Sequence, residues 1–485
     1  MSTAPDILTQ IARARAARIR RDGAAQGLAL PDTRTLPLIN FLEPSPECPE
    51  ILIAEVKRRS PSKGAIAAIP EPEKLAARYA QAGFRRVSVL TEEEHFGGSL
   101  ADLIAVKKAH PHLAVLRKDF LLSEEDVELS WRAGADAVLL IAALLNETTL
   151  RAMYGRAEKL GLACLVEIHT PADADKVRPL KPPLVGINSR DLKTFRIDPL
   201  LPLETRTFID WPCRVVYESG IQRIEDALFV RGSSFGGFLV GEAAARNPGL
   251  AADLLSAWGR EEEARRCYGV WERLYCRFKT HKPFVKICGL TDYEDARTAS
   301  NEGADMLGFV LAESPRRVES GLIRDCAALE ALKTAVVLVP KNGRLPDEIA
   351  YLLEEGTLDF VQFHGDEPPE LLRAWPSYKA LNLKTPADAE KIDGAGSPAV
   401  LVDAFSATVR GGSGRCLEPE IIKAAAARRR LWLAGGLNPN NIGAICREYR
   451  PALVDVSTGL NSNDGTGRRK DSQKIRRFIR EARYE

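Results

Sequence analysis

The sequence predicts an α/β chain built of two tandem (β/α)8 (TIM) barrels, on three observations. Eight short apolar runs alternate with helical stretches over about 210 residues, the count and spacing of a closed barrel rather than an open sheet. A charged stretch with no strand signal follows, and then eight more runs arrive in about 175 residues, so the second barrel has the shorter connections. At 485 residues, 45% apolar and 28% charged, the chain is long enough to bury two such cores. Periodicity alone leaves doubly wound sheets as the alternative.

Residues 6–22 carry Ile7, Leu8, Ile11 and Ile19 among Arg13, Arg15, Arg18, Arg20 and Arg21, which predicts a basic amphipathic helix. Its arginines read as a solvated face over a packed stripe. A Pro-rich connector, Leu42 to Pro49, leads to the first strand. Strand runs are expected at 51–57, 87–91, 114–118, 137–144, 163–168, 184–188, 214–217 and 236–241. The intervening helices, such as Glu71–Gly83 and Glu124–Gly134, commonly end in glycine. Gly259 to Lys282 reads as a connecting helix with Trp271 and Tyr275 as anchors. The second set of strands is expected at 284–288, 306–311, 334–339, 359–363, 378–383, 399–402, 431–434 and 453–456. The domains are therefore 1–258, with its helical extension, then a linker over 259–282, then 283–485.

Composition excludes several function classes. A formal charge of +2 argues against a general attraction to nucleic acid or anionic membrane. Nine scattered cysteines with no Cys-x-x-Cys pair favour reduced thiols over a disulfide framework or zinc ribbon. The N-terminus lacks the apolar core of a signal peptide, and the longest apolar run, Ala137 to Leu145, falls well short of the ~20 residues that span a bilayer. A soluble, cytoplasmic protein is expected. No ligand cluster or Walker-type loop points to a metal or nucleotide cofactor.

A barrel of this kind works at the C-terminal ends of its strands, often with phosphate held after strands 7 and 8. In the first half, Glu55 and Lys57 alternate onto one face of strand 1, a costly arrangement unless the two are paired or used. The loop beyond, Ser60-Pro61-Ser62-Lys63-Gly64, offers hydroxyls, backbone donors and a cation for an anion. Alone, this stretch also reads as a buried ion pair with a solvated basic turn behind it. Strand 3 ends in Lys118-Asp119-Phe120, strand 5 in Glu167-Ile168-His169, strand 6 in Asn188-Ser189-Arg190, strand 7 in Glu218-Ser219-Gly220 and strand 8 in Gly241-Glu242. Two lysines and two or three carboxylates at one mouth suit acid–base chemistry. His169 reads as a structural or rim residue.

In the second half, strand 1 ends in Lys286-Ile287-Cys288-Gly289, strand 4 in Gln362-Phe363-His364 and strand 6 in Asp403. Glycine-rich turns follow at Gly411-Gly412-Ser413-Gly414, Gly435-Gly436 and Ser457-Thr458-Gly459, where backbone N–H groups can approach a phosphate. A cysteine is more often a buried apolar residue than a base. Its place opposite Asp403 at the same mouth suits proton abstraction beside a carbonyl or imine.

These motifs carry a resemblance. The first half resembles the indole-3-glycerol-phosphate synthase family through IAEVKRRSPSKG, LRKDF, LVEIH, GINSRDL, ESGI and FLVGE. The second resembles the phosphoribosylanthranilate isomerase family through KICGLT, GADMLGFV with SPRRV, VQFHGDE, VDAF with GGSG, LAGGLNPNN and VDVSTG. The order is that of bifunctional fusions in tryptophan biosynthesis. The resemblance implies an Amadori rearrangement of N-(5-phosphoribosyl)anthranilate in the second barrel. There Cys288 is the base at ribose C2, Asp403 the acid at the ring oxygen and Arg316 the carboxylate holder. Gln362 and His364 line the pocket, while Gly412, Ser413, Gly435, Gly436, Ser457 and Thr458 cradle the phosphate.

For the first barrel it implies ring closure, decarboxylation and dehydration of the product, a carboxyphenylamino-deoxyribulose phosphate. Lys118 is the preferred general acid, Lys57 binds the carboxylate, Glu167 is the base or stabilises the cationic intermediate, and Glu55 assists dehydration. Asn188, Arg190, Glu218 and Ser219 orient the substrate. Ser60, Gly220, Gly241 and the Glu242 backbone take the phosphate. Phe96, Phe120, Leu139, Leu192 and Leu239 pack the aromatic ring and its tether, and helix 6–22 covers the mouth. Three departures touch the rim and phosphate loop of the second half: Asn461 where the family often has Glu, GGSG for GGTG, and Phe363 for a usual leucine. The rivals are the related isomerisation of histidine biosynthesis, which typically has an aspartate where Cys288 stands, and a pseudoenzyme barrel kept as a binder. Fusion makes a monomer the expected state.

Overall fold

The computed structural model describes residues 7–483 other than 26, 44–49, 62–63, 192–195, 278–281, 340–342, 405–417 and 463–466. Both predicted barrels are present, each a closed ring of eight parallel strands. The first runs β1 (Ile51–Val56), β2 (Arg86–Leu90), β3 (Ala114–Lys118), β4 (Ala137–Ile141), β5 (Ala163–Ile168), β6 (Leu184–Asn188), β7 (Arg214–Glu218) and β8 (Gly237–Val240). The second runs β9 (Phe284–Cys288), β10 (Met306–Val310), β11 (Leu332–Val337), β12 (Phe360–Phe363), β13 (Ser377–Leu383), β14 (Val400–Ala404), β15 (Trp432–Ala434) and β16 (Leu453–Val456). β1 closes on both β8 and β2, and β9 on both β16 and β10. By compactness the chain divides into Met1–Ala264 and Arg265–Glu485, and the division falls inside the helix Glu261–Tyr275.

The glycine stops work as read from the sequence. Helices Pro72–Ala82 and Glu124–Ala133 end at Gly83 (φ 111°) and Gly134 (φ 101°), left-handed positions that a side chain would strain. Helix Glu124–Ala133 starts on Ser123, whose side chain accepts from the Asp126 N–H, with three acids in its first turn.

The floors of the two barrels are closed differently. In the first, Phe41 is buried in one apolar cluster with Ile51, Ala114, Ala137 and Leu184, residues that begin β1, β3, β4 and β6. Arg86 at the start of β2 donates to the Phe41 carbonyl at 2.8 Å and lies over its ring, and Arg214 at the start of β7 donates to the Leu42 carbonyl at 2.6 Å. In the second, Trp271 of helix Glu261–Tyr275 packs on Phe360 and Trp432 at 5.0 and 5.9 Å between ring centroids, while Tyr275 packs on Phe284 at 5.4 Å. Those partners begin β12, β15 and β9.

The N-terminal helix, Ile7–Asp22, sits at the opposite end of the first barrel, with Leu8 and Ile11 buried. One expectation fails here. Arg15 is not part of a solvated face but 3% exposed, 2.9 Å from Asp119 and 2.8 Å from Asp126. Helical spacing sets Arg15 on the Leu8–Ile11 stripe (i+4 from Ile11), so it enters the core with them and survives only because two carboxylates meet it. Arg21 on the other face is exposed, as expected. Among the described residues, no helix is long and apolar enough to cross a membrane, and the seven described cysteines are free thiols.

Candidate active sites

Alternation along each strand decides what faces the barrel interior. In β1 the buried Ile51 and Ile53 put Glu55, and Lys57 just beyond, inside. Ala114 and Leu116 do the same for Lys118 in β3, Leu165 for Glu167 in β5, Leu184 for Asn188 in β6 and Val216 for Glu218 in β7. All of these residues line one cavity at the C-terminal mouth.

Lys118 Nζ lies 2.5 Å from Glu218 Oε2 and 3.4 Å from Glu167 Oε2. Glu167 Oε1 lies 3.1 Å from His169 Nε2 and accepts from Asn188 Nδ2 at 3.4 Å. Lys57 Nζ is 3.5 Å from Glu55 Oε1 and 5.3 Å from the centre of the Phe96 ring, and Ser88 Oγ donates to Glu55 Oε2 at 3.2 Å. The paired carboxylate and ammonium that the sequence demanded at strand 1 are thus a pair, and both face the cavity.

The charges here are unequal in their support. Burial disfavours the Lys118 ammonium, but Glu218, Glu167 and Glu55 outweigh it and hold the amine above the ordinary lysine value. Burial also opposes the Glu167 charge, yet Lys118, His169 and Asn188 hold that carboxyl well below the usual carboxylate range. Glu218 is pushed up to about 7 by burial, aided by Glu167 and Glu55 and opposed by Lys118. The asymmetry has a geometric cause. Glu167 faces three partners, whereas Glu218 Oε1 is buried without a hydrogen bond. Glu218 fits only because residue 186 on the next strand is glycine: a Cβ there would stand 1.9 Å from Oε1.

Of the two sequence readings of His169, structural or rim, its burial excludes the rim. It is 7% exposed and next to Glu167, and although burial lowers its pKa, Glu167, Asp173 and Glu218 raise it above the ordinary imidazole value. The signal was present: residues i and i+2 of a strand share a face.

The apolar wall is formed by Phe96 and Phe120, whose ring centroids are 6.1 Å apart, with Leu139 and Leu239. Leu8, Ile11 and Ile141 complete it, and none of these three was singled out from sequence as a binding residue. Ser60, Arg190, Ser219, Gly220, Gly241 and Glu242 line the same cavity. Ser219 has φ 67°, a strained value for a residue with a side chain, at the turn that presents the loop to the cavity. Leu192 lies outside the described residues.

The second barrel's cavity is lined by Cys288, Arg316, Gln362, His364 and Asp403, and by Gly435, Gly436, Ser457 and Thr458. Cys288 and Asp403 come from β9 and β14, which are not neighbouring strands. Ser457 Oγ accepts a hydrogen bond from Arg316 and donates to the Cys288 carbonyl at 2.9 Å, tying the guanidinium to the strand that carries the thiol. Burial pushes the Cys288 thiol up, against the pull of Lys286. Gly308 on β10 makes room for it, since a Cβ there would lie 2.7 Å from Sγ. Burial lowers the His364 pKa, which favours the neutral imidazole. Gly412 and Ser413 lie outside the described residues.

Sequence reasoning missed the layer beneath. Lys286 is fully buried and donates to Asp455 at 2.6 Å and Gln362 at 2.7 Å, and Tyr378 donates to the same Gln362 oxygen at 2.9 Å. Only the alternation Lys286, Cys288 in β9 could have hinted that a buried cation stands under the thiol.

The first mouth thus joins a fixed ammonium, two carboxylates of different basicity and an apolar slot. The second joins a thiol, a separate carboxyl and a cation above glycine-rich turns. Comparison with known proteins agrees with this division. The family model for indole-3-glycerol phosphate synthase matches residues 8–255. The chain belongs to the indole-3-glycerol phosphate synthase family. Residues 285–481 match the model for N-(5'-phosphoribosyl)anthranilate (PRA) isomerase, so a synthase half is followed by an isomerase half, both of them enzymes. A multifunctional tryptophan biosynthesis protein of Schizosaccharomyces pombe is 30% identical over 98% of this chain and 66% of its own length. One from Phycomyces blakesleeanus is 30% identical over 100% of this chain and 70% of its own. The chain therefore spans about two thirds of the length of these relatives. The indole-3-glycerol phosphate synthase of Saccharopolyspora erythraea is 45% identical over 39% of this chain and 71% of its own length.

Proposed function

We propose that the isomerase half converts N-(5-phosphoribosyl)anthranilate to 1-(2-carboxyphenylamino)-1-deoxyribulose 5-phosphate, and that the synthase half turns this product into indole-3-glycerol phosphate. The observation that carries the reading is the pair of unlike mouths. One holds a thiol and a carboxyl on separate strands, as a single proton shift requires. The other crowds Lys118, Glu167, Glu218, Glu55 and Lys57 around an apolar slot, as a sequence of ring closure, loss of carbon dioxide and loss of water requires.

In the isomerase half, Asp403 protonates the ribose ring oxygen as the ring opens, and Cys288 takes the proton from C2, giving an enolamine that becomes the ketone. Arg316 holds the anthranilate carboxylate. Gln362 and His364 shape the pocket, and the N–H groups around Gly435, Gly436 and Thr458, with Gly412 and Ser413, hold the phosphate. The raised Cys288 pKa means that the bound substrate must find the minor, thiolate form, which Lys286 beneath it favours.

In the synthase half, Lys118 protonates the ketone oxygen as the aryl carbon attacks, and Lys57 holds the carboxylate until carbon dioxide leaves. Glu167, kept ionised, is the base or stabilises the cationic intermediate. Glu55 assists loss of the hydroxyl as water. Asn188, Arg190, Glu218 and Ser219 orient the substrate, and Ser60 with the backbone at Gly220, Gly241 and Glu242 takes the phosphate. Residues 1–258 serve as the synthase domain and 283–485 as the isomerase barrel, with 259–282 linking them, and the chain acts as a monomer on small phosphorylated substrates alone. A stable dimer in light scattering would remove the last point.

The test supplies phosphoribosylanthranilate to the purified chain and follows fluorescence. Loss of the anthranilate signal with appearance of indole-glycerol phosphate is expected. Accumulation of the deoxyribulose intermediate would sink the synthase roles, and no consumption would sink the isomerase roles.

A further inference from the structure

One buried cation belongs to neither set of roles. Lys470 is 6% exposed, and its ammonium donates to two neutral oxygens, the Ser457 carbonyl at 3.1 Å and Asn461 Oδ1 at 2.9 Å. Among the described residues no carboxylate lies within ion-pair distance of it. Asp295 is engaged elsewhere: it accepts the Lys470 backbone N–H at 2.8 Å and the Arg469 guanidinium at 3.1 Å. A buried ammonium without a counter-ion is costly, and such groups are kept where they act.

What it holds is informative. Ser457 is gripped on both sides, its carbonyl by Lys470 and its hydroxyl by Arg316, and that hydroxyl passes a hydrogen bond to the Cys288 carbonyl. We propose that Lys470 is a positioning residue of the isomerase half, whose ammonium, held by two neutral oxygens, fixes the Ser457 peptide and through it the Arg316 and Cys288 side of the cavity. The inference rests on the isomerase reading above and deepens it.

The position is sensitive to pH because the surroundings do not favour the charge. Burial, and next to it Arg316, lower the Lys470 pKa to about 8 against the weaker pull of Cys288, Asp295 and Asp455. Arg469 and Lys474 on its own segment add like charge, Lys474 donating to the Asn461 carbonyl at 2.8 Å, and Asp455 is itself taken by Lys286. Asn461, which could have been the counter-ion had it been acidic, is an amide. Above pH 8 the ammonium is lost and its hold on the Ser457 carbonyl weakens.

The experiment measures kcat and KM for phosphoribosylanthranilate from pH 6 to 10 on the full chain, with the thermal unfolding of the isomerase half, followed by calorimetry on the same preparation, as the check on folding. Rising pH also populates the Cys288 thiolate in every variant, so the Lys470 effect is read as a ratio: wild-type isomerase kcat/KM should fall relative to Lys470→Arg above about pH 8. Lys470→Met should lose about 10-fold at pH 7 and show no further fall from this group. Lys470→Arg, which does not titrate in this range, should keep activity at pH 7 and hold it to higher pH. Asn461→Glu should move the alkaline fall upward by about one unit. A purely structural lysine would lower stability without moving that limb. Wild-type activity in Lys470→Met at pH 7, or an alkaline fall identical in wild type, Lys470→Arg and Asn461→Glu, overturns the inference. If Lys470→Met fails to fold, the other two variants decide. Wild type that never consumes the substrate overturns the isomerase reading itself, and this inference with it.

Discussion

The two barrels share one fold and handle charge in opposite ways. In the first, the charged groups stand at the mouth: Lys118 touches Glu218 and Glu167, and Lys57 touches Glu55, all lining the cavity. In the second, Asp455 lines the cavity but its cation, Lys286, is buried beneath it, and the thiol and the Asp403 carboxyl stand on separate strands. The difference teaches that the barrel fixes where a side chain is presented and leaves open how far its field is shared. Groups in contact shift one another and titrate as a set, whereas separated groups can hold two protonation states at once. That suits one mouth to several successive proton transfers and the other to a single shuttle.

The comparison breaks if the sites are not independent. Cys288→Ala should cost at least about 10³-fold in isomerase turnover and leave synthase turnover intact, and Lys118→Ala should do the reverse. Either variant silencing both activities would end the two-site description. The floors offer a second test. Trp271→Ala should destabilise the isomerase half by about 3–5 kcal/mol, and Phe41→Ala the synthase half by about the same, each followed by the temperature at which one activity is lost before the other. A single shared unfolding step, moved equally by both variants, would contradict it.

A smaller effect sharpens the picture of the crowded mouth. Gly186→Ala places a methyl where Glu218 Oε1 now lies, so Glu218 must swing away from Lys118. Synthase kcat should fall by about 10²-fold with isomerase turnover unchanged. An unaltered kcat would show that the Lys118–Glu218 contact is incidental. The smallest effect concerns pH. Glu218 has its carboxyl raised to about 7, so its ionised form, the partner of Lys118, is gained as pH rises through 7. Synthase kcat/KM should climb through that range, and Glu218→Gln should flatten the climb.

Much of this was readable in the residues because strand ends are where barrel chemistry sits. Alternation from Ile51 and Ile53 delivers Glu55 and Lys57, and the same arithmetic finds Lys118, Glu167, Glu218 and Cys288. Partner choice was not readable. Nothing in the local pattern says that Lys118 meets Glu218 more closely than Glu167, since that depends on Gly186 of another strand. Arg15 was taken for solvated because its two acids, Asp119 and Asp126, lie more than a hundred residues away. The floors were equally hidden: Phe41 and Trp271 act through ring contacts that no periodicity encodes, although Trp271 and Tyr275 did stand out as anchors.

Each floor has a further property. Phe41 precedes β1, and Trp271 and Tyr275 precede β9, so in both halves the stopper is synthesised before the ring it stops. A ribosome releases the plug first, and every strand that follows can be laid around a hydrophobic post already in place. For anyone wishing to separate the halves, the consequence is a rule about where to cut. A gene fragment for the second enzyme that starts at its first strand leaves the post behind, whereas one that starts ahead of residue 265 carries it along.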